Sequence, residues 1–192
     1  RRLRAAALAI AAAAGTWWAC APSALGPRVV RVEGAGDFPC PGSPAAVHAS
    51  CRLARELHAP CARVLEEIRA RIDGQYDAWH DPHNNGTYSK LEDLGNGQFA
   101  FSRLTGRRIF TDLIRFSLSE EQGDKCIYRG CSESQVTSVM DFSTNYCTQY
   151  NLLCGPSSDP ACPYVKHALR STEVAVDPSA GAGTDDKACL TV

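Results

Sequence analysis

Ten cysteines fall within 192 residues, at Cys20, Cys40, Cys51, Cys61, Cys126, Cys131, Cys147, Cys154, Cys162 and Cys189, and no two of them form a Cys-x-x-Cys pair. A zinc ribbon needs that spacing, so the cysteines read as a disulfide framework. Disulfides persist in oxidising compartments, and each bridge is expected to contribute about 2–4 kcal/mol by restricting the unfolded chain.

The N-terminus agrees with export. Arg1, Arg2 and Arg4 precede an apolar run from Ala5 to about Ala14, and no acidic side chain occurs before Glu33. That layout is a secretory signal peptide, assigned to residues 1–26, with an organellar transit segment as the alternative. The run is shorter than the roughly 20 residues a membrane span requires, so no integral membrane segment is expected in the mature chain. Residues 27–43 are rich in proline and glycine and read as a linker. Residues 44–192 are expected to form one secreted domain with an irregular C-terminal tail. A domain of this size buries a real core without depending on its bridges.

Removal of Cys20 with the signal leaves an odd number of cysteines. The bridge candidates are Cys51, Cys61, Cys126, Cys131, Cys147, Cys154, Cys162 and Cys189. Spacing suggests Cys126 with Cys131, Cys147 with Cys154, Cys51 with Cys61, and Cys189 with Cys162 or Cys131. Cys40 is then the odd thiol, available for an intermolecular bridge.

Periodicity divides the domain. Ser43-Pro44 offers a helix start, and Val47, Cys51, Ala54 and Leu57 recur at helical spacing. From Cys61 to about Asp73, Val64, Leu65, Ile68 and Ile72 share a face, Glu67 stands four residues before Arg71, and Gly74 is a plausible C-cap. These predict one kinked helix or two short ones. From Thr87 the period becomes two, with glycine-bearing breaks at "GNG" and "TG". "TYSKLEDL", "QFAFSRL", "RRIFTDLIRFSL", "KCIYRGC" and "QVTSVMDFSTNYC" are read as strands, and "RSTEVAV" as a further short one. The predicted class is α+β: an N-terminal helix packed on a curved antiparallel meander of about four or five strands, stabilised by disulfides. Phe99, Phe101, Phe110, Phe116 and Phe142 are expected mostly in its core, with any open side serving as a ligand groove.

This order of elements, with bridges gathered toward the C-terminus, resembles the cystatin-like and nuclear-transport-factor-2-like arrangement. The stretch "WHDPHNNGTY" through "DFSTNYC" and the ending "GAG…C" are similar to small secreted plant and algal proteins of unassigned function. The resemblance spans roughly residues 61–189 and implies a fold but no catalytic residues. Cystatins inhibit through a glutamine-valine-glycine hairpin and a later tryptophan hairpin, and this sequence has neither.

"WHDPHNNGTY", residues 79–88, carries the densest chemistry. His80, His83 and Asp81 are weak candidates for a metal site, because imidazole and carboxylate suit zinc or copper. Pro82 breaks any helix that would align the two rings, and a turn built on Asp81-Pro82 and Asn85-Gly86 is the simpler reading. Asn85-Gly86-Thr87 is a glycosylation acceptor. Asp93, Asp112 and Asp141 are strand carboxylates from which a small pocket hydrolase could be assembled. No nucleophile elbow occurs, and no cofactor signature appears. The formal net charge of −1, without a basic stripe, excludes nucleic acid held by bulk electrostatics. The expectation is a secreted binding or interaction module for a protein or small molecule, less an enzyme. The alternatives are the pocket hydrolase or a glycosylated surface or wall protein.

Overall fold

Leu53 and Leu57 were expected on a helix, yet in the computed structural model they lie on the first strand of an antiparallel sheet. The structure describes residues 35–75, 77, 79–155 and 162–190. The signal segment, Cys20 and the first part of the expected linker lie outside the described residues. In chain order the elements are β1 (Ser50–Leu57), α1 (Cys61–Asp73), β2 (Thr87–Tyr88), β3 (Glu92–Gly95), β4 (Gln98–Leu104), β5 (Thr111–Glu121), β6 (Lys125–Ser134), α2 (Thr144–Leu153) and β7 (Ser171–Pro178). The α+β class holds, but among the described residues there are two α-helices, neither N-terminal to the sheet, seven strands and four disulfides. The strands run β2-β4-β5-β6-β1-β7, and β3 joins β2 on the free edge of β4. "TYSKLEDL" is thus one interrupted edge strand.

β1 is the main correction. It sits between β6 and β7, paired antiparallel to both. Cys51, Leu53 and Leu57 turn to the inner face, as period two requires. Arg55 disguised that pattern: its buried guanidinium lies over the Tyr150 ring at 5.1 Å and reaches Glu173 at 3.9 Å. A charged residue at an inward position left the helical spacing of Val47, Cys51, Ala54 and Leu57 as the stronger apparent signal.

α1 spans the predicted residues and presents Val64, Ile68 and Ile72 to the core. Glu67 and Arg71 lie in the same buried stripe, joined at 2.8 Å. Arg71 also donates to the carbonyls of Asn151 and Cys154 at the end of α2. The Glu67 carboxylate accepts the backbone N–H groups of Val165, Lys166 and His167. One ion pair therefore ties α1, α2 and the segment leading into β7.

"QVTSVMDFSTNYC" is not a strand. Residues 135–143 form a loop, and α2 begins at Thr144, buried along its whole length. Its threonines and tyrosines read as strand formers, and tertiary bonds satisfy its buried polar side chains. Asn145 Nδ2 donates to the Ala49 carbonyl, Gln149 Nε2 to that of Cys51, and Asn151 Nδ2 to that of Cys189. Gly130 lets this helix approach the sheet, since a Cβ there would meet the Tyr128 hydroxyl and the Gln149 amide. Phe99, Phe116 and Tyr128 stack across β4, β5 and β6, with centroids 5.2 and 5.3 Å apart.

The bridges are Cys40–Cys131, Cys61–Cys126, Cys147–Cys189 and Cys154–Cys162. Three of them join α1 to the sheet, α2 to the C-terminal segment, and residues 35–43 to β6, while Cys154–Cys162 spans eight residues after α2; none of the pairs suggested by spacing forms. The odd thiol among the described residues is Cys51, not Cys40. It is buried in β1, and burial, reinforced by Asp141 and Glu173, pushes its pKa up to about 12. Residues 35–43, expected as linker, dock on the sheet: Gly42 N–H donates to Glu133, and Arg52 donates to the Phe38 carbonyl. The four disulfides fit an oxidising compartment. Among the described residues no helix is long and apolar enough to cross a membrane.

Candidate functional site

The turn after Trp79 is organised by Asp81. This buried carboxylate accepts the His83 N–H at 2.9 Å and Asn151 Nδ2 at 2.9 Å, and pairs with Arg103 Nε at 2.6 Å. Arg103, on β4, also donates to the His83 carbonyl and is fully buried. Asn84 and Asn85 adopt positive φ of 56° and 47°, a conformation asparagine tolerates better than most residues. Gly86 follows because a Cβ there would strike the Arg103 guanidinium. "WHDPHNNGTY" is thus a turn folded around a buried arginine that sequence reading did not single out.

The metal candidates separate. His80 is exposed, whereas His83 is buried with both ring nitrogens engaged. Its Nδ1–H donates to the Ala188 carbonyl at 2.8 Å, which leaves the lone pair on Nε2, facing Asn84 Nδ2 at 2.8 Å and Thr144 Oγ1 at 3.2 Å. Burial holds His83 below the usual histidine range, and the nearby Arg103 charge acts in the same direction. Among the described residues no group of three histidine, cysteine or acidic side chains is gathered to hold a metal ion.

His83 and Asn85 form one wall of a cleft of about 720 Å³ at one end of the sheet. The β4–β5 loop, residues 105–110, supplies a second wall, and residues 138–144 a third. Asp112, at the start of β5, lines this cleft and is buried. Its Oδ1 accepts the Ser134 hydroxyl at 2.6 Å. Its Oδ2 has no hydrogen-bond partner, and neither has Arg103 Nη1, which stands 4.0 Å from it. Burial pushes the Asp112 carboxyl up, and the Asp141 charge adds to this, against the Ser134 hydrogen bond and the Arg103 charge.

Asp141 is placed differently. Its two oxygens accept the N–H groups of Ser143, Asn145 and Gly183 and the Asn145 side-chain amide, at 3.0 to 3.1 Å. It anchors the start of α2. Asp112 and Asp141 therefore meet at one cleft, linked through Ser134 and Asn145, while Asp93 lies exposed on β3 with Arg69 at 3.8 Å.

The mouth is apolar. Of the ten exposed large hydrophobic residues among those described, Ile109, Phe110, Val139, Met140 and Phe142 fall in the two segments that border the cleft, and Phe110, Met140 and Phe142 line it. Phe110 and Phe142 were expected in the core with Phe99, Phe101 and Phe116; they line the cleft instead, Phe142 with 72% of its surface exposed. Phe142 also has φ of +50°, a region that costs an L-residue about 1–2 kcal/mol. An alternating pattern around residue 110 could not show that the strand begins one residue later. No family model matches the chain, and no curated protein or solved structure is similar to it.

Proposed function

We propose that this chain is an exported, disulfide-rich binding module that takes a small ligand into the cleft above Asp112. The observation that carries the reading is the Asp112 Oδ2 atom, a buried polar group without a hydrogen-bond partner on a residue that lines a cleft bordered by exposed apolar side chains. An unsatisfied buried acceptor costs about 1–3 kcal/mol, and a ligand donor supplies the missing bond. Export follows the N-terminal pattern and the four bridges. Asn85 is the glycan acceptor in this reading; it is exposed, and a glycan there would border one wall of the cleft. The free thiol gives the wall-protein alternative little support, because Cys51 is buried.

Amide NMR with a mixed fragment library tests the reading. Binding is expected to shift residues 105–112 and 138–144, and Phe142→Ala is expected to weaken it. Fragments that bind only elsewhere would overturn the proposal.

One observation favours the pocket hydrolase as a second reading: a carboxyl raised by burial and a histidine held neutral line the same cleft. A carboxyl raised toward neutrality and an imidazole held unprotonated can serve as general acid and general base. Turnover of chromogenic esters or glycosides with a bell-shaped pH profile, abolished in Asp112→Asn, distinguishes this reading.

A further inference from the structure

Resting on the reading of the cleft as a ligand site, we propose that its ligand is a primary monoamine with an apolar body. One ammonium N–H would sit on Asp112 Oδ2, and the apolar part would lie against Phe110, Met140 and Phe142.

The charges around Asp112 lead there. Arg103, facing it from β4, is already paired with Asp81 through Nε, and its Nη1 remains 4.0 Å from Asp112. Asp141, facing it from the segment before α2, has its oxygens occupied by backbone and amide N–H groups. Ser134 on β6 gives Asp112 one hydroxyl bond. Asn145 on α2 reaches Ser134 and Asp141 rather than Asp112. His83 in the turn carries no charge when its Nε2 is unprotonated. Arg103 is therefore shared: its one charge stands against the three carboxylates Asp81, Asp112 and Asp141, pairs closely with Asp81 and reaches Asp112 only at 4.0 Å, so the cleft keeps an excess of negative charge at Asp112.

A neutral hydroxyl donor would complete the hydrogen bond and leave the charge uncompensated. A carboxylate ligand would meet Asp112 and Asp141 with like charge. An ammonium group supplies donor and charge together, and charge-assisted bonds are about twice as strong as neutral ones. Arg107, exposed in the same lining, opposes a second positive charge, which points to a monoamine over a polyamine.

Proton balance follows. Where Asp112 is protonated in the free protein, the ammonium replaces that proton: the carboxyl O–H bond breaks, the proton leaves to solvent, and the ion pair forms. Amine affinity is therefore expected to rise with pH through the Asp112 range.

The test uses the exported full chain and three probes of similar size: 2-phenylethylamine, 2-phenylethanol and 3-phenylpropionate. Calorimetry in buffers of different ionisation enthalpy gives affinity and proton release, and amide NMR locates the site. The amine is expected to bind at least about tenfold more tightly than the alcohol, with proton release at pH below the Asp112 midpoint. Asp112→Asn is expected to bring the two within about twofold, whereas Phe142→Ala, an exposed change that leaves folding intact, is expected to weaken both. Binding of the alcohol or the acid at the cleft as tightly as the amine overturns the amine assignment and leaves the cleft reading standing. An amine preference kept in Asp112→Asn also overturns it. Failure of all three probes to shift cleft amides overturns both.

Discussion

Glu67→Gln is a near-isosteric change with a large expected cost. The wild-type carboxylate accepts Arg71 Nε at 2.8 Å and three consecutive N–H groups, from Val165, Lys166 and His167, at 2.7 to 2.8 Å. Both side chains are fully buried. Glutamine leaves the Arg71 charge without its counter-charge and turns an amide NH₂ toward donors. Breaking a buried pair by removing one partner costs about 3–5 kcal/mol. For a domain of this size each kcal/mol moves Tm by roughly 2–4 °C, so a fall of about 6–20 °C is expected.

The pH dependence adds a second signature. Burial pushes Glu67 up, but the Val165 N–H, Arg71 and the His167 N–H outweigh it and hold the carboxyl below the usual range. A lowered folded pKa stabilises above the unfolded value, about 4.3, and that contribution disappears as pH falls through the folded value. Urea unfolding followed by circular dichroism should give a constant gap between wild type and variant from pH 7 to about 4.3, closing below it. A difference under about 1 kcal/mol at pH 7 would refute the reasoning, because it would equate this pair with a surface ion pair.

Gly86→Ala keeps the Asn-x-Thr acceptor pattern but places a methyl against Arg103, which Asp81 and the His83 carbonyl prevent from moving; a loss of about 2–4 kcal/mol in chemical unfolding is expected. Phe142→Gly relieves a positive φ and should raise stability by roughly 0.5–1 kcal/mol while weakening ligand binding at the cleft, a trade visible by comparing Tm with probe affinity. Asp112 titrates in the opposite sense to Glu67: its folded pKa is raised, so its contribution is full below the unfolded value of about 3.9 and is lost as pH rises through the folded value. Urea midpoints between pH 4 and 7 should therefore fall less steeply in Asp112→Asn than in wild type.

The sequence made α1 and the β4–β5–β6 meander legible because one apolar periodicity ran through each element without competition. It hid β1, where Arg55 points inward, and α2, where a buried helix is made of polar and aromatic residues that tertiary hydrogen bonds satisfy. Bridges were misread for a related reason: spacing favours local pairs, while Cys40–Cys131 and Cys61–Cys126 depend on which segments pack on which face. At the site, Asp112 and Asp141 could be named as carboxylates. Arg103 looked like one more polar residue on an alternating strand, and only its burial against Asp81, His83 and Gly86 shows its part. The apolar mouth was concealed because Phe110 and Phe142 read as core.

The most direct single measurement is a site-resolved NMR titration of the Asp112 carboxyl carbon in the free protein with its four disulfides formed. A midpoint clearly above the ordinary aspartate value of about 3.9 is expected, since Oδ2 is buried without a partner. A midpoint at or below that value would place this oxygen on a donor or in bulk water, and would contradict the reading of the cleft as a site completed by its ligand.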